Sequence, residues 1–312
     1  MKLSLVVPCY NEAENVARFQ EATIAAFAGC GYDYEIVFVD DGSKDATLHN
    51  LKKLYDRQQC CVKIVALSRN FGKESALYAG MAHATGEYIC LIDADLQQQP
   101  AIAREMVRIL DEKPQCDVVA TYQDRRSEGK LLSFFKKSFY KLINRLSDVS
   151  LRADASDFRT FRRSVAESIL RLGEYHRFSK GIFSWVGYET EYLPYTAQKR
   201  THGKTKWSFR KLMNYAIEGI IGFSTKPLRL AAYFGFLTAI AAIVYLIVVV
   251  LQKLLVGIDV PGYATIIVLI LLLGSIQLFC IGIIGEYVGK TFEQSKQRPI
   301  YIAKEVLDPT EK

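Results

Sequence analysis

Asp93 and Asp95 stand two residues apart at the end of an apolar run, Tyr88-Ile89-Cys90-Leu91-Ile92. Such a run reads as a buried strand, and an open α/β sheet places its ligands beyond the carboxyl ends of its strands. Two like charges held close repel, and a hard divalent cation relieves that repulsion. The pair therefore points to a Mg2+ or Mn2+ site for a phosphate-rich substrate; the bland alternative is a solvated turn with two acidic residues. If the substrate is a nucleoside diphosphate joined to a sugar, a cation on Asp93 and Asp95 bridges the phosphates and helps the nucleotide to leave. Asp41 and Glu12 are then placed to accept hydrogen bonds from base or ribose, and Arg69 or Lys73 to meet phosphate. Acidic residues at strand ends also cap the helices that follow, so each single role has a structural rival.

Further along, Ser156-Asp157-Phe158-Arg159 supplies another carboxylate. Asp157 is a candidate to orient an acceptor or take its proton; the rival reading is an acidic cap on a helix beginning near Phe158 and running to about Leu172. A basic loop, residues 198–207, offers Arg200, Lys204 and Lys206 to a second phosphate. A phosphate monoester is already nucleophilic near neutral pH, because its second pKa is about 6, so little general base is needed. The Gly203-Lys204-Thr205 triplet in this loop is not a phosphate-cradling P-loop: Gln198 stands where the partner glycine belongs, and no strand feeds directly into it. The four histidines (49, 83, 176 and 202) are dispersed. Only His202, within the basic loop, is a candidate acceptor contact.

The elements that must hold these groups alternate. Strand candidates at residues 3–7, 34–39, 62–67, 89–92 and 118–121 are separated by helical intervals, the first over roughly 14–28. Right-handed crossovers make this a mostly parallel sheet with helices on both faces. Its carboxyl-end loops converge on one rim, bringing Asn11, Glu12, Asp41, Arg69, Lys73, Asp93 and Asp95 within reach of one ligand. Residues 129–146 then place Leu131, Leu132, Phe135, Phe139, Leu142, Ile143 and Leu146 on one arc, with Lys130, Lys137, Lys141 and Arg145 opposite. That pattern suits a helix lying at an anionic interface, or equally a helix packed on the sheet with a basic outer face. A second amphipathic helix begins at Ser208. Residues 174–195 read as an aromatic patch rich in turns.

Half of the 312 residues are hydrophobic, and that content thickens sharply after Pro227. Residues 230–251 and 263–285 are uncharged over lengths that span about 30 Å of hydrocarbon as helix. Lys and Arg cluster on both outer flanks, with Lys253 and Asp259 as the only charges of the short link. This bias places the flanks, the catalytic domain and both termini in the cytoplasm. The net charge of +7 would suit nucleic acid or an anionic membrane; because basic residues flank the apolar segments, the membrane is the expected partner and nucleic acid is not. Seven scattered cysteines without a C-x-x-C indicate reduced core residues rather than a zinc or redox site. The opening Met-Lys-Leu-Ser-Leu-Val-Val-Pro reads as a first strand, its apolar run being short for a secretory leader.

The stretches Val6-Val7-Pro8-Cys9-Tyr10-Asn11-Glu12, Val39-Asp40-Asp41-Gly42-Ser43, Ser68-Arg69-Asn70-Phe71-Gly72-Lys73, Asp93-Ala94-Asp95, Asp157-Phe158-Arg159 and Arg200–Lys206 together resemble the inverting family 2 glycosyltransferases. Within them the chain is most similar to polyprenyl-phosphate sugar transferases of the bactoprenol (undecaprenyl-phosphate) glucosyltransferase type used in O-antigen glucosylation. The dolichol-phosphate mannose synthases are a more distant likeness. The resemblance covers nearly the whole chain and implies a Rossmann-like GT-A catalytic domain (1–206), a juxtamembrane amphipathic helix (207–229), a transmembrane pair (230–285) and a cytoplasmic tail (286–312). It implies transfer of glucose from UDP-glucose to undecaprenyl phosphate, with inversion, at the inner face of the bacterial cytoplasmic membrane. Pro8, Tyr10, Glu12 and Asp41 would surround the uridine, Asp93 and Asp95 the metal and diphosphate. Asp157 would lie by the reacting carbon, and Arg200 and Lys206 by the lipid phosphate. Relatives of this type can form tetramers through their membrane helices. One departure is Leu96-Gln97-Gln98-Gln99-Pro100, a residue longer than the family's Leu-Gln-Asp/His-Pro run. Alternatives are the same reaction with GDP-mannose, UDP-galactose or an amino-sugar donor, and a non-catalytic membrane scaffold that binds sugar nucleotides.

Overall fold

In this computed structural model the described residues are 2–57, 60–123, 144, 145, 147, 149, 152, 155–196, 218–256 and 262–309. Most of 129–146, the first ten residues of the helix expected from Ser208, and the basic loop with Arg200, His202, Lys204 and Lys206 lie outside them. The strands are β1 (Lys2–Cys9), β2 (Asp33–Asp40), β3 (Cys61–Leu67), β4 (Tyr88–Leu91), β5 (Val118–Gln123), β6 (Ala155–Arg162), β7 (Thr190–Tyr195) and β8 (Ala303–Leu307). The helices are α1 (Val16–Phe27), α2 (Thr47–Arg57), α3 (Lys73–His83), α4 (Pro100–Glu112), α5 (Arg163–Leu170), α6 (Ser179–Trp185), α7 (Lys226–Val256) and α8 (Tyr263–Ser295).

One mixed sheet runs β7-β5-β6-β4-β1-β2-β3-β8. Its centre, β3-β2-β1-β4, is parallel, with Leu3 opposite both Tyr34 and Tyr88. β6 is antiparallel to β4 and β5, β7 is parallel to β5, and β8 is antiparallel to β3. Every strand except β6 and β8 therefore points the same way. The carboxyl ends of those six and the amino end of β6 share one rim. β1 is buried on both faces, as a central parallel strand must be. Leu3, Leu5, Val7 and Cys9 enter one core layer, while Val6 enters the other with Val37 and Val39 of β2. α3 lies close over that second layer: a Cβ at Gly80 would come within 2.3 Å of Val6 Cγ1, so a larger residue would push the helix away.

Three sequence expectations change. The helix expected from Phe158 is strand β6, and helix α5 starts only at Arg163. Phe158, Arg159, Thr160 and Phe161 are all buried, as suits a strand held between β4 and β5. The turn-rich patch at 174–195 contains α6 and β7. The stretch 286–312 is more than a tail, because α8 continues to Ser295 and β8 closes the sheet edge on β3. Lys63, 4% exposed at its side chain, meets Asp308 at 2.6 Å, which pins this end of the chain to the core.

α7 and α8 are 31 and 33 residues long, with apolar windows that are unburied in the chain, so each is long and apolar enough to cross a membrane. The start of α7 and the later part of α8 are tied to other parts of the chain. Lys226 Nζ donates to the carbonyls of Arg145 and Ser147, both at 3.1 Å, and Tyr287 Oη donates to Ser224 O at 2.6 Å. At the end of α8, Gln294 accepts from Tyr175 N and donates to Gly173 O, and Glu293 meets His176.

Candidate active site

The site grows from the turn after β4. Asp93 is the second residue past the strand, Asp95 Oδ1 accepts the Gln97 backbone N–H at 3.1 Å, and Leu96 takes a left-handed φ of 58° that reverses the chain. This turn accommodates the atypical Leu96–Pro100 run. Gln98, which sequence reasoning passed over, comes back beneath Asp93 and accepts its backbone N–H at 3.1 Å. Only the departure of that run from the family pattern marked the position beforehand.

Lys73 opens α3 and reaches across the rim, with Nζ 2.6 Å from Asp93 Oδ1 and 3.7 Å from Asp157 Oδ2. Lys73, Leu77, Leu91, Ile92, Asp93, Gln98 and Asp157 line one crevice. Burial pushes the Asp157 carboxyl up, but the charges of Lys73, Lys180 and Arg159 prevail and hold it below the usual carboxylate range. Burial likewise works to lower the Lys73 ammonium, and Asp93 and Asp157 overcome it, raising Lys73 above the ordinary lysine value. Asp157 Oδ1 is buried without a hydrogen-bond partner. Asp157 is thus a carboxylate on strand β6 with one buried oxygen unpartnered, and not a helix cap.

Across β1 and β2, the neighbouring loops lock together. Asn11, at a left-handed φ of 55°, donates from its backbone N–H to Ser43 Oγ at 3.0 Å and accepts from Lys44 N at 2.9 Å. The Glu12 backbone N–H reaches Thr47 Oγ1 at 2.8 Å, and its carboxylate accepts from Asn15 Nδ2 at 2.6 Å. Pro8 pairs with Val39 in the sheet, and Tyr10 is half-buried one residue past β1. Asp41, 3% exposed, accepts the backbone N–H groups of Phe71 at 2.7 Å and Gly72 at 3.0 Å. Burial raises its pKa more than those two amides lower it. A Cβ on Gly42 would fall 2.4 Å from the Arg69 carbonyl carbon. Asp41 and Gly42 therefore hold the 68–72 loop that delivers Lys73, a job sequence reasoning did not give them. Arg69 stacks its guanidinium 4.3 Å from the Phe71 ring centre and points no charge into the crevice beside Asp93.

Along the rim the order is thus Arg69 and Lys73 after β3, Asp41 after β2, Tyr10 and Glu12 after β1, Asp93 and Asp95 after β4, and Asp157 at the start of β6. β7 ends at the same rim and leads toward the basic loop. Carboxylate oxygens are the donors Mg2+ and Mn2+ prefer, usually one or two of them completed by substrate phosphates. Among the described residues no group of three or more His, Cys, Asp or Glu could hold a metal unaided. Asp93 engages the Lys73 ammonium, while Asp95, whose Oδ1 accepts the Gln97 N–H, is not among the residues that line the Lys73 crevice. Cys9, nearby, is no nucleophile: burial, with Glu12, Asp40 and Asp93 adding to it, pushes its thiol well up.

A polar rim of this kind on an open α/β sheet, continuous with a hairpin of two membrane-length helices, defines a membrane-associated α/β enzyme scaffold. Residues 4–170 match glycosyl transferase family 2, and residues 226–291 match the GtrB C-terminal hairpin. The prophage bactoprenol glucosyl transferase homolog of Escherichia coli is 42% identical over 310 residues, covering 98% of this chain and 99% of that one. The bactoprenol glucosyl transferase of Shigella phage SfV is 41% identical over 308 residues, 97% of this chain and 98% of its own. The uncharacterized glycosyltransferase sll0501 of Synechocystis is 40% identical over 307 residues, 98% of this chain and 96% of its own. The chain belongs to glycosyl transferase family 2.

Proposed function

We propose that this enzyme transfers glucose from UDP-glucose to undecaprenyl phosphate, or a similar polyisoprenyl phosphate, with inversion. The observation that carries the reading is Lys73, paired with both Asp93 and Asp157 in one crevice. The carboxylate suited to a diphosphate and the carboxylate suited to an acceptor thereby meet at one ammonium. The naming of two full-length relatives as bactoprenol glucosyl transferases supports the acceptor and the sugar.

Pro8, Tyr10, Glu12 and Asp41 form the uridine end of the rim, and Asp93 and Asp95 face the diphosphate. Mg2+ or Mn2+ bound there supplies Lewis-acid help to the departing UDP. Lys73 gives up Asp93 and turns to donor phosphate, and Arg69 lies at the same end of the rim. An oxygen of the lipid phosphate attacks the sugar's anomeric carbon from the face opposite UDP; the new C–O bond forms as the bond to UDP breaks and its electron pair leaves with the nucleotide. Asp157, ionised and with Oδ1 unpartnered, orients the acceptor or takes its remaining proton. Arg200, Lys204 and Lys206 hold the lipid phosphate.

α7 and α8 anchor the enzyme in the bacterial cytoplasmic membrane, with the sheet domain and both termini in the cytoplasm. Lys226 and Arg229 at the start of the hairpin and Lys296 and Arg298 after it support that orientation. Gly274, Gly282 and Gly285 on α8 face open space within one chain. They leave room for a neighbouring helix, which supports a homo-oligomer such as a tetramer.

The test is purified protein with polyprenyl phosphate and labelled UDP-glucose, GDP-mannose or UDP-N-acetylglucosamine. A glucolipid should form from UDP-glucose alone, EDTA should suppress it, and Asp95→Asn should abolish it. Product from another donor would change the sugar, and an active Asp95→Asn enzyme would overturn the site. Nucleotide binding without turnover would leave a scaffold.

A further inference from the structure

Two links join the walls of the crevice, and they differ in kind. Lys73 is the charged one, bridging Asp93 and Asp157. A cation that took Asp93 Oδ1 would displace Lys73 from that oxygen, so this link depends on the charge in the crevice. The other link is neutral. Gln98, 7% exposed, accepts the Asp93 backbone N–H through Oε1 and donates from Nε2 to Ser156 Oγ at 3.4 Å. Ser156 Oγ also accepts the Phe158 backbone N–H at 3.2 Å. Gln98 therefore ties the Asp93–Asp95 turn to the chain on both sides of Asp157.

We propose that Gln98 is a positioning residue that sets the separation between the diphosphate-binding turn and Asp157 once Lys73 has moved away. The inference rests on the roles given above to Asp93 and Asp157. A carboxamide suits the task because it presents one acceptor and one donor on a rigid plane, matching a backbone N–H on one side and a hydroxyl on the other. It carries no charge, so the link is indifferent to the charge that enters or leaves the crevice. The left-handed turn at Leu96 is what brings position 98 back under Asp93. Holding reacting groups in register is a large part of catalysis, and a misplacement of about 1 Å costs on the order of a hundredfold in rate.

The experiment uses the full-length protein, comparing Gln98→Met, Ser156→Ala and their double variant, with Ser156→Thr as the conservative control. Gln98→Met keeps the length and bulk of the side chain and removes both hydrogen bonds. Expected is a fall in kcat of about tenfold or more, with donor KM changed by less than about threefold. Binding of Mn2+ in the presence of UDP, followed by electron paramagnetic resonance without turnover, should likewise stay nearly unchanged. Ser156→Ala should act in the same direction, the double variant should be no worse than the worse single one, and Ser156→Thr should retain activity. Wild-type kcat in Gln98→Met, additive losses in the double variant, or a loss of Mn2+–UDP binding that matches the loss of kcat would each overturn the proposal. If Asp95→Asn and Asp157→Asn are inactive while Gln98→Met is normal, only this inference fails; if those aspartate variants are active, the underlying reading fails.

Discussion

Lys73 pairs with both Asp93 and Asp157, and its electrostatics set what pH can do to the site. Its pKa is raised, so its contribution to stability is complete below the ordinary lysine value and is lost only as pH rises through the higher folded value. Asp157 is lowered, so its contribution is complete above the ordinary carboxylate value and is lost as pH falls through the lower folded one. Neither group titrates between about pH 5 and 9. An acid limb in kcat/KM near about pH 6 should then belong to the acceptor phosphate. A profile with polyprenyl phosphate that stays flat through that region would contradict a phosphate nucleophile. Asp41 illustrates what sequence alone hides: its type and place after a strand marked it as a nucleotide contact, but only geometry shows it accepting two loop amides. In Asp41→Asn an amide N–H must face one of those N–H donors. Unfolding measurements should show a loss of about 1–2 kcal/mol, the removal of a buried charge offsetting part of the cost.

At the scale of elements, the strands of the parallel centre were legible because each is a short apolar run closed by a polar cluster, and their order follows from right-handed crossovers. The residues of β6 were not legible as a strand. Asp157, Arg159 and Arg162 interrupt its apolar residues, and it is buried only because β4 and β5 supply partners from elsewhere in the sequence. β8 was missed for a similar reason. Ala303–Leu307 is short and charged, and what makes it a strand is the open edge of β3 about 240 residues earlier in the chain. Lys63 inside β3 is its counterpart: a nearly buried cation whose partner, Asp308, lies just beyond β8. Lys63→Met should take from Asp308 its short ion pair in a poorly solvated place and destabilise the domain, by at most about 3–5 kcal/mol. Asp308→Asn should cost in the same direction. Thermal or denaturant unfolding of the detergent-solubilised protein checks both, and an unchanged midpoint would mean that the edge strand is dispensable.

Among the described residues the sheet domain is attached to its hairpin at two places, before α7 and at the end of α8. Phe223 packs against Phe178, their ring centres 6.1 Å apart, and stands so close to Gly181 that an added Cβ would meet its ring at 2.4 Å. At the other attachment, His176 and the backbone of 173–175 hold Glu293 and Gln294, after which the chain continues into β8. A single attachment would leave the sheet free to swivel about the helices; two separated ones fix the rim's direction relative to them. If the acceptor arrives through the bilayer, that direction governs how often a lipid phosphate meets the crevice, while a donor from solution is indifferent to it. Weakening the second attachment with His176→Ala and Gln294→Ala should therefore raise KM for polyprenyl phosphate in vesicles several-fold and leave UDP-sugar binding unchanged. Because α8 remains tethered through β8, the double variant should still fold, which a normal unfolding midpoint verifies. Equal losses toward the lipid and the nucleotide would show that this attachment serves stability alone, and that the acceptor reaches the rim without help from its orientation.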